Sequence, residues 1–193
     1  MSESLAQMRF NSISTNIGSI RTLHPSHSPY SDYQYALYYG LEVDAEIIAN
    51  YIRGGLYWGH WNDRVVDPLS VRDMVTFSDR SHIIGIRFSF LPVKLWENWT
   101  LPLGIFIGTS HHFISSKCVG GFDFAGNTCS SGYDDITGNS TTLEFGLMSS
   151  DLNLFGPLVL RGEIKQFIPL GDSQFDQFQK NRRAFNVSIG YKF

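Results

Sequence analysis

The stretch His82–Phe90, HIIGIRFSF, decides how the rest of the chain is read. Ile84, Ile86, Phe88 and Phe90 stand at alternate positions, with Gly85, Arg87 and Ser89 between them. A strand turns successive side chains to opposite faces, so this segment has one apolar face and one that carries a charge and small residues. The last segment repeats the pattern, with Phe185, Val187, Ile189, Tyr191 and Phe193 alternating with Ala184, Asn186, Ser188, Gly190 and Lys192. Working outward from these two, period-two alternation recurs along the chain while helical periodicity is almost absent, which predicts an all-β protein. Eight antiparallel strands are expected near residues 10–21, 34–46, 50–61, 82–94, 101–114, 140–152, 158–169 and 183–193. Most have about the 9–11 residues that a tilted strand needs to cross a bilayer.

The connections alternate in length. Long ones are expected near residues 22–33, 62–81, 115–139 and 170–182, and short ones near 47–49, 95–100 and 153–157. Strands running up and down would gather every long connection at one end of a barrel and every short turn at the other, the asymmetry of outer-membrane barrels. A single domain over residues 1–193, at 21.8 kDa, suits such a barrel.

Composition narrows the classes. The chain is 15% aromatic and 17% charged, and its net charge of -3 gives no electrostatic case for nucleic acid. No apolar run reaches the roughly 18 residues of a membrane-spanning helix. Met1–Phe10 lacks the apolar core of a secretory signal, so export would require a signal peptide already removed.

Alternation alone fits a soluble lipocalin-like barrel as well as a membrane one, because both have an apolar and a polar face. The glycines separate them. Gly40, Gly85, Gly104, Gly108, Gly146 and Gly190 fall on the face that also holds the charges, and the interior of an eight-stranded barrel is only just wide enough for side chains. The polar face is therefore expected inside. The opposite face is uncharged, as with Leu37, Tyr39 and Leu41, or Leu103, Ile105 and Ile107. Lipid demands this, since Arg or Lys there would cost about 2–4 kcal/mol at mid-bilayer. An interior charge network of Glu42, Arg53, Arg87, Glu144, Arg161, Glu163 and Lys165 is expected, with Arg87, Arg161, Glu42 and Glu144 as a salt-bridged plug.

With Tyr191 and Phe193 on the lipid side of a terminal strand, the chain resembles bacterial outer-membrane barrels, whose assembly machinery reads such an ending. Its plan resembles the small eight-stranded group that includes the outer-membrane protein A transmembrane domain and outer-membrane proteins X and W. The resemblance covers nearly the whole chain and is architectural, with no family motif matched. It implies a bacterial outer-membrane location, outer-membrane lipid and lipopolysaccharide as surroundings, and the barrel-assembly machinery as a partner. Trp58, Trp61, Trp96 and Trp99 suit the membrane interfaces.

Other constellations bear on chemistry. Cys118 and Cys129, both in the third long connection, predict one disulfide formed in an oxidising compartment. Neither they nor His24 and His27 make a metal site at zinc spacing, and no metal or cofactor is expected. His111 and His112 are neighbours on a strand and point to opposite faces. An enzyme that remodels lipid A, a deacylase or acyltransferase, would use an outward His111 with Ser115 or Thr141 and an acid at Asp134 or Asp135. Three Asn-x-Ser/Thr triplets, at Asn98, Asn139 and Asn186, read as chance matches.

The leading functional expectation is a non-enzymatic surface barrel with a plugged interior. Its long external loops, with Tyr30, Tyr33, Phe122, Phe124 and Tyr133, would contact a protein partner or a host surface, alone or within a larger outer-membrane complex. The lipid A enzyme is the alternative, and a narrow channel for small molecules is the third reading.

Overall fold

Alternation in the sequence becomes alternation in space. The computed structural model describes residues 9–22, 34–48, 51–70, 73–90, 94–96, 99–100, 103–122, 135–172 and 182–193. Its strands are β1 (Arg9–Thr22), β2 (Gln34–Ile48), β3 (Ile52–Ser70), β4 (Asp73–Phe90), β5 (Lys94–Trp96), β6 (Trp99–Thr100), β7 (Leu103–Phe122), β8 (Ile136–Ser149), β9 (Leu152–Phe155), β10 (Leu158–Pro169) and β11 (Arg183–Lys192). Neighbours pair antiparallel in the order β11, β1, β2, β3, β4, β7, β8, β10, and β10 pairs back onto β11 to close the ring. β9 continues the place of β8 beside β10, and β5 with β6 forms a small hairpin between β4 and β7. Eight strands thus close into an up-and-down barrel, the form in which strands can satisfy every backbone group in hydrocarbon.

In β4 the side chains of Ser81, Ile83, Gly85, Arg87 and Ser89 are buried and those between them are exposed. β11 alternates in the same way from Arg183 to Gly190. The ring therefore has a packed polar lumen and an outer wall of Leu, Ile, Val and aromatic side chains about half exposed, such as Leu56 at 61%, Ile105 at 58% and Ile189 at 52%. Glycine on the inner face makes room for rings. A Cβ at Gly85 would strike the Tyr57 ring opposite it, and a Cβ at Gly59 would strike Tyr38. At the β9–β10 turn, Gly156 takes a φ of 55°, which an L side chain rarely adopts.

The long connections depart from expectation in two places. Residues 62–81 were expected as a loop, but β3 and β4 stay paired from Asn62↔Arg80 out to Ser70↔Asp73. β7 likewise stays on β4 to the Met74↔Phe122 pair, well past the expected end at residue 114, and β8 begins at Ile136 within the expected third loop. The outer ends of β3, β4 and β7 form a three-stranded extension standing beyond the ring. The physical reason lies in Val65, Val66, Val75, Thr76 and Phe77, strand-favouring residues set among the turn-favouring Asn62, Asp63, Asp67 and Pro68. His24, His27, Tyr30, Tyr33, Phe124, Tyr133 and Asp134 lie outside the described residues.

Candidate functional site

The lumen has two halves with different chemistry. At the short-turn end, β2, β3, β4 and β10 point ionised groups at one another. Arg87 on β4 ion-pairs with both Glu42 on β2 and Glu163 on β10, and all three side chains are buried. Glu163 also meets Lys165 Nζ at 3.2 Å and accepts a hydrogen bond from Asn186 Nδ2 at 2.7 Å. Nearer the mouth, Arg161 binds Asp44 at 3.0 Å and Asp151 at 2.9 Å. Asp151 is also reached by Arg53 and by Lys192 Nζ, each at 2.9 Å, and Ser12 donates to Asp44 at 3.3 Å. Charges confined in this way are tolerable because these groups are paired, whereas an unpaired one would cost several kcal/mol, roughly 3–5 when a partner is removed.

Asp151 lies in the short connection after β8, outside the spanning strands. Burial would raise its carboxyl, but the Arg161 guanidinium, with Lys192 and Arg53, overrides that and holds it well below the usual carboxylate range.

Toward the long-loop end the filling becomes aromatic. Ile20, Ala36, Tyr38, Tyr57, Trp61, Ile83, Phe167 and Ala184 form one buried cluster. Cations here rest on rings: Lys165 Nζ lies 4.6 Å from the Tyr57 ring centre and 5.2 Å from that of Tyr38, and the Arg182 guanidinium carbon lies 4.7 Å from Trp61. Tyr57 joins the two halves by donating its hydroxyl hydrogen bond to Glu144. Beside it, Ser110 Oγ lies 3.0 Å from His112 Nε2 and 2.8 Å from Thr142 Oγ1, all three buried.

The expected network residues are thus placed on one inner surface, with differences in detail. Glu144 takes a tyrosine hydroxyl where an arginine was expected. Asp151, which falls within the expected strand 140–152 but is absent from the expected network, is the hub of the mouth cluster. Its one advance signal is an acid near the end of that strand, at a parity whose other side chains are uncharged. Trp61 corrects a second expectation: it points into the lumen at 1% exposure and is no interfacial anchor, whereas Trp58 faces outward.

On the outer wall at the long-loop rim, Tyr39, Trp58, His60 and His82 form a patch, with the Tyr39 and His60 ring centres 5.1 Å apart and those of His60 and His82 4.4 Å apart. His111 belongs to the same level, edge-on to Phe113 at 4.8 Å. Its Nδ1 lies 3.0 Å from Thr141 Oγ1, so that part of the enzymatic alternative is assembled. Among the described residues the remainder is not. Ser115 is four residues further along β7, about 13 Å at strand spacing, opposite Thr137. Asp135 is held by Lys117 at 3.1 Å. Cys118 sits near the outer end of β7 opposite Phe77, while Cys129 lies outside the described residues, so the disulfide stays an expectation. Among the described residues no three His, Cys, Asp or Glu side chains are grouped to hold a metal ion.

No family model matches the chain, and no curated protein matches it. Solved structures do. Ail, the attachment invasion locus protein of Yersinia pestis, determined in complex with the heparin analogue sucrose octasulfate, superposes with a TM-score of 0.55 at 12% identity, over 96% of this chain and 100% of that one. Neisserial surface protein A superposes with a TM-score of 0.50 at 12% identity, over 95% of this chain and 97% of that one. The fold is that of a small outer-membrane β-barrel. At this identity the likeness carries the architecture and not the activity.

Proposed function

We propose that this protein is a bacterial outer-membrane barrel with a closed lumen that works at the cell surface, without chemistry of its own, through its long-loop end. The observation that carries the reading is the division of labour between the two ends. The lumen is occupied by paired charges and buried rings, and β3, β4 and β7 continue past the ring as a paired platform. A barrel built for transport would gain nothing from that filling, and one built only to span would gain nothing from the extension. The complex of Ail with a heparin analogue supports a surface ligand of sulfated or phosphorylated carbohydrate type, and a protein partner at the same end is the companion possibility. A Cys118–Cys129 bridge would tie the third loop beside the platform, and Tyr191 with Phe193 would present the assembly signal. Among the described residues His111 has Thr141 but neither Ser115 nor Asp135 beside it, which does not favour catalysis.

Two measurements test the proposal. Single barrels in planar bilayers should show no stable large conductance; a steady open pore would overturn the closed lumen. Shortening the β3–β4 hairpin across residues 64–79 should abolish binding to immobilised heparin or to host-cell surface protein while heat-modifiable migration in detergent gels persists. Full binding by the shortened barrel would overturn the platform as the working surface.

A further inference from the structure

The outer wall is not uniformly smooth. Two rows of outward side chains run across the strands, perpendicular to them, and leave a furrow of about 910 Å³ between them. It begins at Phe90 and Ile105, paired at the short-turn ends of β4 and β7. It passes Leu147 and Ile164, which are register partners, and ends at Gln166 and Arg183, paired at the long-loop ends of β10 and β11. Because the pairing steps from the short-turn end of one strand to the long-loop end of another, the furrow climbs the wall obliquely. It spans five strands, four gaps of about 4.8 Å, or roughly 19 Å, the length of one long acyl chain.

Its upper end differs from all the rest. Arg183 is exposed at the rim, and its Nε donates to Gln166 Oε1 at 2.9 Å. Gln166 in turn donates its Nε2 to the Phe167 carbonyl at 3.2 Å. The guanidinium is therefore held in place by one nitrogen, with its two terminal amino groups left, among the described residues, for another acceptor. A fixed guanidinium presents a fork suited to two phosphate oxygens. Apolar walls of leucine, isoleucine and phenylalanine running up to one oriented cation complement an amphiphile with a single anionic head.

We infer that this furrow is a specific lipid site: one acyl chain of a phosphorylated outer-leaflet glycolipid, of lipid A type, lies between Ile105 and Phe185 with its phosphate on Arg183. The inference rests on the membrane reading given above and adds to it a place and a ligand chemistry. The test is native mass spectrometry of the barrel released from phosphatidylcholine nanodiscs doped with lipid A. Wild-type barrel should retain one lipid A in preference to phosphatidylcholine. Arg183→Gln should weaken that retention about tenfold through loss of a charge-assisted contact. Ile164→Trp, which fills the furrow, should weaken it as well, whereas Leu37→Trp on the far wall should not. Equal retention by Arg183→Gln and wild type, or equal retention of dephosphorylated lipid A, overturns the site. A chain that stays soluble without detergent overturns the membrane reading and the furrow with it; an inserted barrel without preference overturns the furrow alone.

Discussion

The two halves of the lumen solve one problem in different ways. Both must fill a space too narrow for bulk water with side chains from all eight strands. At the short-turn end the filling is ionic, centred on Arg87, Arg161 and Asp151, and every charge depends on a named partner. At the long-loop end it is Tyr38, Trp61 and Phe167, and the cations Lys165 and Arg182 lie over rings. Dispersion and ring quadrupoles tolerate small misalignment, whereas a buried ion does not. The ionic half should therefore be brittle toward substitution and the aromatic half forgiving.

The largest effect should come from Arg87. Arg87→Met would leave the Glu42 and Glu163 carboxylates buried with reduced compensation, and we expect a loss of about 3–5 kcal/mol in urea unfolding from lipid vesicles. Adding Glu42→Gln should recover part of that loss, because the two positions share one ion pair and their effects do not add. A cost below that of a surface substitution would break the comparison at its strongest point. Next is the joint between the halves. Tyr57→Phe removes the hydroxyl that donates to Glu144, and leaving a buried carboxylate without it should cost about 1–3 kcal/mol by the same measurement.

How much of this was legible follows the reach of each interaction. Alternation acts over two residues, so the inward and outward faces of β4 and β11 could be read directly, and with them Glu42, Arg87, Arg161 and Glu163 as interior groups. Pairing is set by the ring, which joins Glu42 to Arg87 across two intervening gaps and Arg53 to Asp151 across 98 residues. No local pattern contains that. Trp61 was misplaced for a related reason: a tryptophan near a strand end fits an interface equally well, and only parity with Tyr57 and Gly59 turns it inward. The extension of β3, β4 and β7 runs past the expected strand ends because Val65, Val66, Val75 and Phe77 continue the strands, a signal diluted by the Asn, Asp, Arg and Pro between them.

Asp151 sharpens the comparison through pH. Its folded carboxyl is depressed, so its stabilisation is present above the value of a free aspartate, about 3.9, and is lost as pH falls through the depressed folded value. Asp151→Asn should cost about 1–2 kcal/mol at neutral pH, since three cations lose their shared acceptor's charge. The deficit relative to wild type should shrink only in strong acid. A deficit that already vanished at pH 5 would mean that Asp151 is not held by Arg161 as described.

The smallest effect is expected in the aromatic half. Phe167 lies edge-on to His112, with ring centres 5.3 Å apart, and its ring is one of three around the Lys165 ammonium. Phe167→Leu keeps an apolar side chain of similar reach and leaves Tyr38 and Tyr57 in place over the cation, so a loss of no more than about 1.5 kcal/mol is expected. Unfolding midpoints of the Arg87 and Phe167 variants, measured side by side in the same vesicles, decide the matter. If Phe167→Leu proves as damaging as Arg87→Met, ring packing is as exacting as ion pairing here, and the contrast between the two halves is one of composition without energetic consequence.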